Sequence, residues 1–140
     1  MTTNPRMLVG SALGVAATVI ASSGLLAVPT AHAAGNCTVP GPHLDIHHSS
    51  GYDVSVDANG ASLGPNAVVR SPGKTTNWTV TSSINGRTLD FIIGYPGSKA
   101  YVHFTGAVGN DGIAHGTSTE IAFPVYLAAG PWDSVTRLTC

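Results

Sequence analysis

Residues 87–118 read RTLDFIIGYPGSKAYVHFTGAVGNDGIAHGTS, and this stretch decides the fold. Three runs rich in β-branched and aromatic residues are separated by two turn sequences, Tyr95-Pro96-Gly97-Ser98 and Asn110-Asp111-Gly112. Runs of this kind form strands, and turns this short join neighbouring strands in antiparallel fashion. The stretch therefore predicts a three-stranded meander.

The segments on either side of the meander continue the same pattern. Apolar and polar residues alternate from Tyr52 to Asp57 and from Trp78 to Ile84, which is the period of a half-buried strand. Asn59-Gly60 is a hairpin signal because both residues tolerate positive φ. No helical pattern follows residue 33. We therefore predict an all-β protein, an up-and-down antiparallel meander of seven to eight strands, with a closed barrel preferred over a sandwich.

The N-terminal segment has the composition of an export signal. A start with one cation, Arg6, precedes an apolar run, and Ala31-His32-Ala33 supplies the small–x–small pattern of a cleavage site. A permanent membrane anchor is the alternative, since about 20 apolar residues span a bilayer. Glycines and serines within the run favour cleavage. We predict a signal peptide at 1–33, an N-terminal arm at 34–51 and a single β-barrel domain at 52–140, in a secreted bacterial protein that is not membrane-spanning after cleavage.

The two cysteines, Cys37 and Cys140, stand near the two ends of the predicted mature chain. In an exported protein an even pair is expected to be bridged. A bridge between these positions requires the chain ends to meet within about 7 Å between Cα atoms. A barrel satisfies that requirement, so the cysteines favour a barrel over a sandwich and predict a Cys37–Cys140 disulfide.

Charge excludes several classes of partner. Without the predicted signal peptide the chain has five Lys and Arg residues against seven Asp and Glu residues, spread evenly along the sequence. Such a chain lacks the basic footprint that nucleic acids and anionic lipids require. We expect a monomer with no nucleic-acid partner and no cofactor.

Histidines supply the best candidates for a metal site. His43, Asp45 and His47 point to one side if their segment is extended, and two imidazoles spaced in this way can share a zinc ion. The alternative, which we prefer, is a polar arm whose histidines face water. His48 points the other way. His103 and His115 lie on neighbouring strands of the meander, and we interpret them as ordinary sheet histidines.

Motifs of catalysis are not found in the sequence. It has no Gly-x-Ser-x-Gly elbow, no His-Glu-x-x-His helix and no glycine-rich phosphate loop. Asp53 and Asp57 share one face of a strand, which suggests a carboxylate pair for glycoside hydrolysis, but a solvated face explains them better. We therefore predict a non-catalytic protein.

A family resemblance accompanies this interpretation. Residues 86–93 and 101–106, followed by Asn110-Asp111-Gly112 and Gly116-Thr117, resemble a pattern in small secreted actinobacterial proteins. The resemblance covers about a third of the chain. It implies a calycin-type β-barrel and assigns no functional residue, since most members have no assigned function.

Three functions remain open from the sequence. The first is a binding module for a small apolar ligand held inside the barrel. The second is a cell-envelope or host-interaction protein that acts through its surface, and the third is a small barrel enzyme of cyclase type. For the first, the predicted ligand-lining residues are Leu89, Phe91, Ile93, Val102 and Phe104.

Overall fold

The computed structural model describes residues 35–122 and 129–140, and the predicted signal peptide at 1–33 lies outside them. The described residues form nine strands and no helix, so none of them lies in a helix that could cross a bilayer. The strands are β1 (His43–His48), β2 (Asp53–Asn59), β3 (Ser62–Ser71), β4 (Lys74–Val80), β5 (Ser82–Ser83), β6 (Thr88–Gly94), β7 (Tyr101–Val108), β8 (Ala114–Ala122) and β9 (Gly130–Ser134).

Eight of these strands close into an antiparallel barrel. Around the ring the order is β1, β2, β3, β4, β6, β7, β8 and β9, and β9 pairs with β1 to complete the circle. The short β5 pairs with β3 outside this ring. Each neighbour along the ring is also the next ring strand in sequence, so the predicted up-and-down meander and its closure into a barrel are both confirmed.

The predicted boundary between arm and barrel is wrong. Residues 34–51 were expected to precede the barrel, but β1 lies within them and pairs with both β2 and β9. The reason is the alternation in the sequence HLDIHH: Leu44, Ile46 and His48 face inward and are buried, whereas the residues between them are exposed. Without β1 the ring would have two open edges.

The core is the barrel interior, filled around Trp132. Its indole contacts the parallel-stacked rings of Phe91 and Phe104 edge-on, with centroids 6.5 and 6.0 Å away. Gly106 and Gly116 lie opposite each other on β7 and β8, directly against the indole. A Cβ at Gly116 would lie 2.5 Å from Cζ2 of Trp132 and would also overlap the carbonyl oxygen of Thr105. The two glycines therefore make the room that the indole occupies.

The chain ends meet at one end of the barrel. Cys37 and Cys140 are bridged, with Cα atoms 4.0 Å apart at a sequence separation of 103. Thr38 and Thr139 pair beside the bridge through backbone hydrogen bonds in both directions. The predicted disulfide is confirmed, and a disulfide is consistent with an extracellular location.

The ring is not equally paired all the way around. β6 and β7 share seven residue pairs, whereas β4 and β6 share only two, Thr79 with Gly94 and Val80 with Ile93. The first part of β4 runs past the end of β6 and pairs only with β3 among the described strands. The β4–β6 seam is therefore the weakest link of the closed ring.

The glycine contacts predict a large packing effect at one position. Replacing Gly116 with Ala should lower the free energy of unfolding by about 2–3 kcal/mol, because the added methyl meets a strand carbonyl that cannot move without breaking the sheet. Gly41→Ala is the matched control, since nothing lies within 4 Å of its Cβ position. Urea unfolding of both variants checks the prediction; equal stability of the two would contradict it.

Candidate functional site

The five predicted ligand-lining residues all face the interior. Leu89, Phe91 and Ile93 come from β6, Val102 and Phe104 from β7, and each is at least 98 % buried. They contact one another across the β6–β7 pair, where Phe91 lies opposite Phe104 and their ring centroids are 5.0 Å apart. These side chains fill the middle of the barrel together with Trp132. Their burial follows from packing alone, and that they line a ligand stays a prediction.

One polar atom inside the barrel lacks a partner. The indole Nε1–H of Trp132 has no hydrogen-bond acceptor among the described residues, although the side chain is almost fully buried. An unsatisfied buried donor costs about 1–3 kcal/mol. A hydrogen-bond acceptor at this atom would remove that cost.

The candidate metal ligands His43, Asp45 and His47 are each engaged in a separate side-chain pair. The three side chains share the outer face of β1, as predicted, but each is paired with a different residue of β2. His43 lies 3.4 Å from Asp57, His47 lies 2.7 Å from Asp53, and Asp45 accepts a hydrogen bond from Ser55 at 2.6 Å. No group of three metal-binding side chains occurs in the part of the chain that the structure describes. The exposed pairs explain these histidines.

His103 on β7 and His115 on β8 are likewise each paired with a separate aspartate. His103 Nε2 lies 2.6 Å from Asp90, and His115 Nδ1 lies 2.6 Å from Asp133. The two histidines lie on neighbouring strands but point to different aspartates, since His115 is paired with Ala107 and not with His103. Exposed pairs of this kind contribute about 0–1 kcal/mol each. They form a solvated polar surface.

A buried polar cluster, which the sequence did not reveal, surrounds His48. Its Nε2 lies 2.9 Å from Oγ of Ser118, and its Nδ1 lies 2.8 Å from Oγ of Ser50. The backbone N–H of Ser50 also donates to Nδ1, at 3.1 Å. Because Nδ1 accepts that bond, the neutral ring carries its proton on Nε2. Nε2–H therefore donates towards Ser118 and towards the Gly130 carbonyl.

Burial keeps this cluster uncharged. Burial lowers the pKa of His48 below its ordinary value of 6.5; the bond to the Gly130 carbonyl opposes this only in part, and the neighbouring His47 lowers the pKa further. Tyr52 stacks on the imidazole with ring centroids 4.2 Å apart. Burial raises the pKa of Tyr52 to about 12, with a further contribution from Glu120. Both rings are neutral at neutral pH.

The hydrogen bonds give the cluster a structural role. Nε2 of His48 is a donor, so it cannot take the hydroxyl proton of Ser118 as a catalytic base would. Both side chains are also buried. The cluster connects β1, the turn after it, β8 and β9 at one end of the barrel. It thereby stabilises the closure of the ring between β1 and β9.

An exposed apolar patch lies on the outer surface at the same end of β6, β7 and β8. We define it as Ile92, Tyr95, Tyr101 and Ile121, whose exposed fractions are 43, 42, 40 and 52 %. Tyr101 lies opposite Gly94 on β6 and Ala122 on β8, so the strand register places all four residues at the same end of the sheet. A fifth exposed apolar residue, Val135, lies outside the patch, after β9.

Only part of this patch could be predicted from the sequence. The run Phe91-Ile92-Ile93 breaks the alternation of β6, so one of its apolar side chains had to face outward. Ile121 gave no such signal, because a register shift in the β7–β8 pair lies next to it. A contiguous patch of this kind marks an interaction surface more often than a scattered exposed residue does.

A polar groove lies elsewhere on the barrel. It has a volume of about 480 Å³, and its walls come from β1, β2, β3 and the segment after β9. Asp53, Ser55 and Arg70 are among its lining residues. The groove is open to solvent and is formed by the paired outer-face side chains already described.

No family model, no curated protein and no solved structure matches this chain. Function must therefore be argued from the patch, the interior and the His48 cluster.

The His48 cluster predicts acid sensitivity. Because the folded-state pKa lies below 6.5, the unfolded chain binds the proton more readily, and this contribution to stability is present above pH 6.5 and is lost as the pH falls through the folded-state value. NMR titration of the His48 ring should give a midpoint below 6.5. In His48→Gln the free energy of unfolding should fall less between neutral and mildly acidic pH than in the unaltered protein. A His48 midpoint at or above 6.5 would contradict the prediction.

Proposed function

We propose that this protein is an exported, non-catalytic β-barrel binding module that acts through the apolar patch on its outer surface. Its partner is a component of the cell envelope or of a host. The observation that carries the proposal is the grouping of Ile92, Tyr101 and Ile121 on three neighbouring strands, with Tyr95 directly after the first of them. Each of these side chains keeps about half of its surface in water, and covering them with a partner is favourable by about 25 cal/mol per Å².

The packing of the barrel interior supports binding at the outer surface over binding of a ligand inside the barrel. Phe91, Phe104 and Trp132 interlock at the centre of the barrel, and the two glycines beside Trp132 leave no space at the indole. Eight-stranded barrels are about the size at which side chains can fill the interior completely. The same packing leaves the outer surface as the place where a large partner can bind.

Export is supported by two observations. The sequence of residues 1–33 has the order of a signal peptide, and the Cys37–Cys140 bridge is the kind of bond that persists in oxidising compartments. The absence of a catalytic role rests on the His48 cluster. It is the buried titratable group that a cyclase-type enzyme would need, but its donors and acceptors are already engaged with one another.

A small apolar ligand is the second candidate, and Trp132 favours it. The unpartnered indole N–H could donate to a carbonyl or carboxyl oxygen of a ligand whose apolar part lies among Leu89, Phe91 and Phe104. This requires the aromatic side chains to move apart, which the packed interior opposes. We therefore rank it below the surface function.

Substitution within the patch tests the proposal. The double variant Ile92→Thr/Ile121→Thr should bind envelopes of the source organism at least about tenfold more weakly, since it removes apolar area worth roughly 1–2 kcal/mol while keeping β-branched side chains. Val135→Thr, an exposed position outside the patch, is the matched control and should bind as the unaltered protein does. Co-sedimentation of the purified proteins with envelopes gives the readout.

The melting temperatures of both variants should match that of the unaltered protein, which separates loss of binding from loss of fold. Equal binding by the double variant and the Val135→Thr control would show that the patch is not the binding surface. Saturable uptake of an apolar compound by all three proteins, with no envelope binding, would favour the internal ligand.

A further inference from the structure

The β3–β4 hairpin extends beyond its neighbour on one side. β4 pairs with β3 over Lys74 to Thr79, but with β6 only at Thr79 and Val80. β6 ends at Gly94, where the chain turns away into the β6–β7 turn, closed by a hydrogen bond from Tyr95 N–H to the carbonyl of Ala100. The residues Thr75, Thr76 and Asn77 therefore have no strand partner on this side among the described residues, and we call this segment the β4 edge.

The β4 edge adjoins the apolar patch. Tyr95 lies where β4 and β6 separate, and its ring contacts Trp78 of β4 edge-on, with centroids 5.3 Å apart. Tyr101 lies over Gly94, and Gly94 accepts a hydrogen bond from the Thr79 hydroxyl at 3.3 Å. Two patch residues thus border the point where the free edge begins.

A free sheet edge has a specific chemistry. Every second residue of an edge strand points its N–H and C=O groups away from the paired neighbour, and these groups alternate with a spacing that only another extended backbone matches. Strand addition to such an edge takes its affinity from main-chain hydrogen bonds and its specificity from alternate side chains. The side chains of Thr75 and Asn77 are exposed on the outer face of β4.

We infer that the β4 edge binds an extended polypeptide segment of a partner protein as an added strand, placed beside β4 where β6 has ended. The inference rests on the proposed function, because the patch would contact the side chains of the same segment. The segment is β-prone, with apolar residues at alternate positions that meet Tyr95 and Tyr101. Lys99 lies in the β6–β7 turn at this end, which favours an acidic segment over a basic one.

The test uses the full mature protein and a synthetic peptide with the sequence Glu-Thr-Val-Thr-Val-Thr-Glu. In ¹⁵N spectra, millimolar peptide should shift the amides of Thr75, Thr76 and Asn77 and slow their hydrogen exchange. The same peptide with alternate backbone nitrogens methylated cannot pair, and it should leave these amides unchanged. No shift at the β4 edge, or equal shifts with both peptides, would overturn the inference.

Proline at the edge provides a second test. Thr75→Pro and Thr76→Pro remove N–H groups that point in opposite directions, so one variant loses a bond to β3 and the other loses only an edge donor. The variant that keeps its melting temperature should lose peptide binding and should bind envelopes less well. Envelope binding that depends on the patch but survives this proline would leave the proposed function standing and remove the inference.

Two further outcomes are decisive. Envelope binding that neither the patch nor the proline variant reduces would remove the proposed function together with the inference. Concentration-dependent shifts at the β4 edge without any peptide would show a second copy of the chain as the occupant, and would overturn the assignment of a partner segment.

Discussion

The contact between Trp132 and the glycine pair Gly106 and Gly116 is the constraint on which the rest of the barrel depends. The indole can occupy the centre only because both strands beside it lack side chains at that level. Once there, it contacts both Phe91 and Phe104 and leaves the β6–β7 wall fully packed. The filled interior then leaves the outer surface and the strand edges for binding.

The sequence predicted those parts of the fold that depend on local pattern. Alternation and turn residues were sufficient for the meander, and the positions of Cys37 and Cys140 indicated a closed ring. It misplaced residues 43–48, because a histidine-rich strand looks polar until His48 is known to be buried. Whether an imidazole faces water or the core depends on partners far away in sequence, here Ser118.

The candidate sites, too, could be predicted only where they depend on local sequence pattern. The predicted group of His43, Asp45 and His47 did share one face, but each side chain is paired separately with a residue of β2, the histidines with aspartates and Asp45 with Ser55. The apolar patch and the β4 edge depend on cross-strand register and on where one strand ends relative to its neighbour. Neither the register nor the position of a strand end can be predicted from the periodicity of apolar residues in the sequence. The apolar patch and the β4 edge are therefore produced by the way in which neighbouring strands pair, and not by a sequence motif.

The central claim is that the barrel interior is closed to ligands, and the indole N–H of Trp132 reports on it most directly. We would follow this proton and the methyl groups of Leu89 by NMR while titrating a fatty acid. The account predicts no saturable change in either signal, because Phe91, Phe104 and the backbone at Gly106 and Gly116 already pack against the indole. A saturable shift of the Trp132 proton, with new contacts from the ligand to Leu89, would contradict it and would place the binding site inside the barrel.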